Sequence, residues 1–161
     1  MDTRRHTDME DVTFTEEGAV VLLRRSKTDQ EGEGRKIGIP FGSTPQTCPV
    51  RSLRAWLEAS GVMSGPLFQY VDRWGHVRPN RRLAPNAVGY IVKKHAELAG
   101  LDPASYAGHS LRAGLATQAA LNGVPERAIQ NQTGHKSLTM LRRYIRDGSL
   151  FRENAAAHLG L

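Results

Sequence analysis

Five side chains in this 161-residue chain have the types and the order that chemistry on a phosphate would need: Lys27, His109, Arg112, His135 and Tyr144. In Gly108-His109-Ser110-Leu111-Arg112 the histidine and arginine stand three residues apart, so a helix starting there shows both on one face. His135 sits in the glycine-flanked turn Gly134-His135-Lys136-Ser137, directly ahead of a helical pattern, and Tyr144 follows Arg142 and Arg143 late in that pattern. Lys27 lies in the charged turn Arg25-Ser26-Lys27-Thr28-Asp29. A phosphodiester transition state gains negative charge on its non-bridging oxygens, and a cation fixed where that charge develops contributes about 10²–10³ in rate. Arginine suits this task because its planar fork matches phosphate geometry and stays charged. A tyrosine hydroxyl is a weak nucleophile at neutral pH and needs such neighbours. A lysine or histidine can protonate a departing 5′ oxygen. Two-metal hydrolysis would instead need clustered carboxylates; the stretch from His109 to Tyr144 contains one acid, Glu126. No metal and no cofactor are expected.

Taken singly, each residue has an ordinary explanation. Lys27 can be a solvated turn residue, either histidine a satisfied polar group at a helix end, Arg112 an ion-pair partner, and Tyr144 a half-buried aromatic with a wet hydroxyl. Arg142, Arg143 and Arg146 can simply form a solvated helix face. The single cysteine, Cys48, excludes a disulfide framework and a multi-cysteine zinc site and reads as a small buried hydrophobe. His6, His76, His95 and His158 read as structural or exposed.

The elements that must hold these residues are mostly helical. Residues 1–10 lack apolar periodicity and read as a disordered or truncated end. Ala19 to Leu23 and Arg35 to Pro40 pattern as two strands of a hairpin with a turn-rich stretch between them, and Asp11 to Phe14 as an edge strand. From Pro49 the period becomes helical and stops at Gly61. Leu67 to Pro79 reads as an irregular connection. A second helix follows from about Pro85, with Val88, Ile91, Val92, His95, Leu98 and Ala99 on one face and Gly100 just past its end. A third runs from about Ser110 to Asn122 with Leu111, Leu115 and Ala119 inward. Pro125 opens a short helix closed by Gly134, Ser137 caps another, and Ser149 to Leu159 reads as an alanine-rich last helix. The expected class is α+β, mainly helical, with a small antiparallel sheet near the N-terminus.

A chain of this length buries roughly 70% of its unfolded surface, enough for a real core. Charged residues make up 24% and mean hydropathy is −0.45, with no long apolar run, so no membrane span is expected. The polar start MDTRRHTDMED is no secretory signal, and a reducing, cytoplasmic setting is the default. The chain carries 22 Lys and Arg against 16 Asp and Glu, a net +6. Residues 1–34 hold nine acids and five bases, whereas 109–146 hold six bases and one acid. Positive charge gathers around the candidate site, and a nucleic acid is the leading anionic partner.

At this point the residues carry a resemblance. The order Lys27, His109-x-x-Arg112, His135, Tyr144, within RRSKTD, GHSLRAG, TGHKSLTMLRRYIR and SLFRENAAAHLG, resembles the catalytic domain of tyrosine recombinases, the phage integrase family. The likeness runs from about Asp11 to the C-terminus, so residues 11–161 are identified as that domain. It implies that Tyr144 attacks the scissile phosphate and forms a 3′-phosphotyrosyl link. Arg112 would clamp the phosphate, His135 would hydrogen-bond it, Lys27 would act as general acid for the 5′-hydroxyl, and His109 as an acid/base partner. It implies double-stranded DNA as partner, with Arg142, Arg143 and Lys136 as DNA contacts, and a homo-oligomer on DNA formed through the C-terminal helix. Site-specific DNA recombination or integration, as for mobile elements, would be the function.

The chain departs from the family pattern at its N-terminal end. The family has a further catalytic arginine on an apolar helix ahead of the hairpin, in a pattern like Leu-Arg-x-x-Glu-Leu. Here Arg4 and Arg5 stand in that direction without such a helix, and the core-binding domain is expected to be absent. The expectation is therefore an N-terminally truncated catalytic domain. Two functions stay open: a DNA strand transferase working through Tyr144, or a non-catalytic DNA-binding remnant that lacks the first arginine. Topoisomerase-like relaxation is a weaker third, since the chemistry is shared.

Overall fold

The computed structural model describes residues 7–24, 34–135 and 137–149, with backbone alone for 145–149. The chain divides between Ala84 and Pro85 into two compact units. The first contains a three-stranded antiparallel sheet ordered β1 (Val12–Phe14), β2 (Gly18–Leu23), β3 (Arg35–Pro40), followed by helix α1 (Pro49–Ser60). β2 and β3 pair in the register Ala19↔Ile39 and Val21↔Ile37, the hairpin that the two aliphatic runs predict. Its turn, with Lys27, lies outside the described residues. Gly18 is required by a close approach: a Cβ there would stand 2.1 Å from the carbonyl oxygen of Ile39.

Helix α1 starts at Pro49, whose missing N–H costs nothing in a first turn, and stops at Gly61 in the left-handed conformation. It covers the sheet through a small core of Ala19, Cys48 and Val50, against which Phe14, Ile39 and Phe41 pack. The Arg54 guanidinium lies over both Phe14 (4.9 Å) and Phe41 (5.5 Å), closing the edge of that core. Cys48 is fully buried, and its Sγ accepts the Gly42 N–H at 3.2 Å.

Two expectations for this unit are corrected. Of residues 1–10, expected to be a disordered or truncated end, 1–6 lie outside the described residues, and disorder does not extend to 7–10, which are held in place. Asp8 ion-pairs with Arg82, Met9 N–H donates to the Gly65 carbonyl at 2.7 Å, and the Glu10 carboxylate accepts the Gly65 N–H at 3.0 Å. The second correction concerns the connection after Leu67, which contains a two-stranded antiparallel sheet, β4 (Gln69–Val71) and β5 (Val77–Arg82). β5 reads VRPNRR, a polar stretch with a proline that no strand pattern flags. Its register slips between Gln69 and Val71, and Asn80 takes a φ of +58°, a conformation asparagine tolerates better than most residues.

The second unit consists of α2 (Ala87–Leu98), α3 (Gly108–Leu121), α4 (Glu126–Thr133) and α5 (Leu138–Ser149). Helix α3 starts two residues ahead of the predicted Ser110, because the Ser110 hydroxyl reaches back to accept the Ala107 N–H at 3.0 Å. α5 is capped as expected by Ser137, whose Oγ accepts the Met140 N–H at 3.5 Å. It runs on through Asp147-Gly148 to Ser149; the predicted helix beyond that lies outside the described residues.

The core of this unit is Ala116, Ala120, Ile129 and Leu141, with Ala119 and Tyr144 packed against it. Leu111 and Leu115, predicted inward, are instead exposed, as are Val88, Ile91 and Leu98 of the predicted α2 face. Helix α3 carries apolar residues all round, so periodicity does not select a face. The buried face is the one that carries Ala116 and Ala120, which cluster with Ile129 and Leu141. Ile129→Val should lower the unfolding free energy by about 1 kcal/mol, read as a lower urea midpoint at unchanged slope.

Candidate active site

Three of the five predicted residues converge in the second unit, one from each of three contexts. Arg112 lies on α3, one turn beyond His109, and both are exposed. His135 occupies the turn after α4, which ends because Gly134 adopts the left-handed conformation. Tyr144 lies on α5, half-buried against the alanine–leucine core. The His135 and Tyr144 rings stand 5.8 Å apart between centroids, tilted by 47°. Helix α3 packs on both α4 and α5, which brings the Arg112 charge to the imidazole. Burial and that guanidinium hold His135 below the ordinary histidine range, in that order of weight. Both causes favour the neutral ring.

The His135 turn is tightly held. The Gln130 side-chain amide donates to the His135 carbonyl at 3.0 Å, and the Thr133 hydroxyl lies 2.6 Å from His135 Nδ1. An arginine, an imidazole and a phenol presented together by three packed helices can grip one phosphate and attack it. Lys27 and Lys136 lie outside the described residues, as does the Arg146 side chain. Arg142 and Arg143 are exposed on α5, and Arg142 is held by Glu126 of α4 at 3.2 Å. Among the described residues no group of three or more His, Cys, Asp or Glu side chains is placed to hold a metal ion.

A profile of the phage integrase family matches residues 5–149. The chain belongs to that family. It is 43% identical over 150 residues to the integrase/recombinase xerD homolog of Selenomonas ruminantium, covering 93% of this chain and 44% of the relative. Against the tyrosine recombinase XerD of Xanthomonas axonopodis pv. citri it is 41% identical over 136 residues, covering 77% of this chain and 41% of that one. Among solved structures, it is similar to the XerH site-specific recombinase bound to palindromic difH substrate in a post-cleavage complex. That match has a TM-score of 0.70 at 19% identity and covers 98% of this chain and 41% of the other, a likeness of fold. This integrase-family chain thus spans less than half the length of each of these relatives.

The first unit of this integrase-family chain contributes a feature that the sequence reading missed. The β4–β5 hairpin carries four arginines, Arg73, Arg78, Arg81 and Arg82, interleaved with Tyr70 and Trp74. Asp72 builds its turn: Oδ1 accepts the N–H groups of Trp74 (2.9 Å) and His76 (3.0 Å), and Oδ2 pairs with Arg78 at 2.7 Å. Burial alone would raise the Asp72 pKa, but those amides and the Arg78 charge outweigh it and hold the carboxyl below its usual range. Arg73 lies over the Trp74 ring at 4.1 Å and Arg81 over Tyr70 at 4.2 Å. A guanidinium over an aromatic ring keeps its charge and its N–H donors for an anion. Basic residues alternating with aromatics between Tyr70 and Arg82 were the signal that could have found it.

Proposed function

We propose that this chain is the catalytic part of a site-specific tyrosine recombinase, which cuts and rejoins duplex DNA through a covalent link to Tyr144. The observation that carries the reading is the meeting of His135 with Tyr144 under the charge of Arg112. Tyr144 attacks the scissile phosphorus, the 5′ oxygen leaves, and the bond energy is kept in a 3′-phosphotyrosyl ester that a new 5′-hydroxyl can reverse. Arg112 clamps the non-bridging oxygens, and His135 hydrogen-bonds the same phosphate. His109, one helical turn from Arg112, serves as acid/base partner for the nucleophile, and Lys27 protonates the leaving 5′ oxygen. Every step is proton and phosphoryl transfer by side chains and requires neither a metal nor a nucleotide. The XerH structure, bound to its palindromic difH substrate, supports duplex DNA as the partner through the likeness of fold. Assembly on DNA then proceeds through residues beyond Ser149.

The test is a nicked suicide duplex carrying the cognate site, from which the short 5′-hydroxyl fragment diffuses away and leaves the adduct trapped. A covalent protein–DNA band supports the enzyme. Retained binding without any band would leave the non-catalytic DNA-binding reading in its place. Backbone contacts should make affinity fall steeply with salt, with a logarithmic slope near −0.9 per phosphate neutralised. Arg73→Gln and Arg81→Gln, which remove the stacked cations of the β4–β5 hairpin, should each shrink that slope by about one, as read by fluorescence anisotropy across a salt series.

A further inference from the structure

The hydrogen-bond inventory around His135 fixes more than its position. Thr133 Oγ1 lies 2.6 Å from the Ile129 carbonyl oxygen and 2.6 Å from His135 Nδ1. A carbonyl oxygen only accepts, so the first contact consumes the one proton the hydroxyl owns. The hydroxyl therefore has lone pairs alone to offer the imidazole, and the proton between Thr133 and His135 belongs to Nδ1. When the ring is neutral it holds a single proton, so Nε2 is bare. A bare nitrogen accepts hydrogen bonds and repels an anionic oxygen. We propose that Thr133 is a positioning residue that locks neutral His135 in the Nδ1–H tautomer, so that the ring grips a phosphodiester only by taking up a proton at Nε2.

The phosphate half of this proposal rests on the recombinase reading above; the tautomer half stands on the two Thr133 contacts alone. The proton comes from solvent. It adds to the Nε2 lone pair, breaks no bond and makes His135 a cation with a donor toward each side, Nδ1–H to Thr133 and Nε2–H to the phosphate. The surroundings make the uptake conditional on the ligand. Among the described residues, the Arg112 cation of α3 opposes a charged ring, the Tyr144 ring of α5 packs beside it, and the uncharged Thr133 of α4 meets its Nδ1. No carboxylate among these neighbours favours the imidazolium, so the bound phosphate is the anion that does. An empty site is thereby kept from carrying two adjacent cations, and a filled one gains the second.

The test is ¹⁵N NMR of the His135 ring in the whole chain, free and with a duplex of mixed sequence. In the free wild type above its titration, Nδ1 should show the pyrrole-type shift and Nε2 the pyridine-type shift. Thr133→Ser, which keeps the hydroxyl, should preserve that pattern, and Thr133→Val, which keeps the shape, should lose it to the Nε2–H form. A free wild type already in the Nε2–H form, or a Thr133→Val variant with an unchanged pattern, overturns the lock. Adding duplex should raise the His135 titration midpoint in wild type, and affinity should rise by up to about tenfold per unit fall in pH across that window. In Thr133→Val the neutral ring can donate without a proton, so this pH dependence should flatten. A wild-type midpoint unmoved by bound duplex overturns the proton uptake. Failure of the chain to bind duplex at all would be the failure of the recombinase reading, and the free-state shifts would still decide the role of Thr133.

Discussion

Tyr144→Phe should bind duplex as tightly as the parent chain and form no covalent adduct on a nicked suicide substrate. The substitution removes one oxygen and leaves the ring, which packs against the Ala116–Ala120–Ile129–Leu141 core and beside His135. Packing is thus preserved while the oxygen proposed to form the ester is gone. Loss of a covalent nucleophile in other enzymes costs on the order of 10⁶ in turnover, which places the variant below any band a gel detects. Unchanged thermal unfolding would show that the fold survives. An adduct of undiminished yield from Tyr144→Phe would assign the nucleophile elsewhere and overturn the proposed mechanism.

The second large effect is expected at Arg112, where charge and shape can be separated. Arg112→Lys keeps the cation but loses the planar fork that meets two phosphate oxygens at once. Adduct formation should fall by about 10²–10³, the scale of one preorganised donor aimed at the developing charge. Arg112→Gln should fall at least as far, and it should also change His135. With the neighbouring cation gone, one of the two causes that depress the imidazole is removed, and its titration midpoint should rise. The linkage follows in sign. The native ring titrates below the unfolded one, so as pH falls through that window the unfolded chain binds the proton first and stability drops. Arg112→Gln should reduce that acid-side loss, measurable as a smaller fall in the urea midpoint between neutral and mildly acidic pH. An Arg112→Gln variant whose His135 midpoint stays put would mean that burial alone depresses the ring.

Much of this protein was legible in its residues because the relevant physics is local. Pro49 and Gly61 bracket α1, Gly134 and Ser137 mark the end of one helix and the cap of the next, and the aliphatic runs pair as β2 and β3. Proline, left-handed glycine and short hydroxyl side chains act within one turn of chain, so a reader needs no fold to see them. The order Lys27, His109-x-x-Arg112, His135, Tyr144 likewise pointed to phosphoryl transfer by residue chemistry alone.

Other features depend on which surfaces meet. The inward face of α3 is Ala116 and Ala120 rather than Leu111 and Leu115, because helices pack as closely as their smallest facing residues allow. The β4–β5 hairpin exists although VRPNRR has no strand pattern: the Asp72 carboxylate folds its turn, and arginines stack on its aromatics. Residues 7–10 are ordered by partners more than fifty residues away in the chain, Gly65 and Arg82. Sequence alone therefore pointed to the chemistry proposed for this protein and to most of the short elements that would bear it. Only the tertiary structure decided that His135 meets Tyr144 beside the Arg112 charge, and that the Thr133 hydroxyl lies 2.6 Å from its Nδ1. Both depend on distances between side chains from separate turns and helices, and packing alone sets those distances.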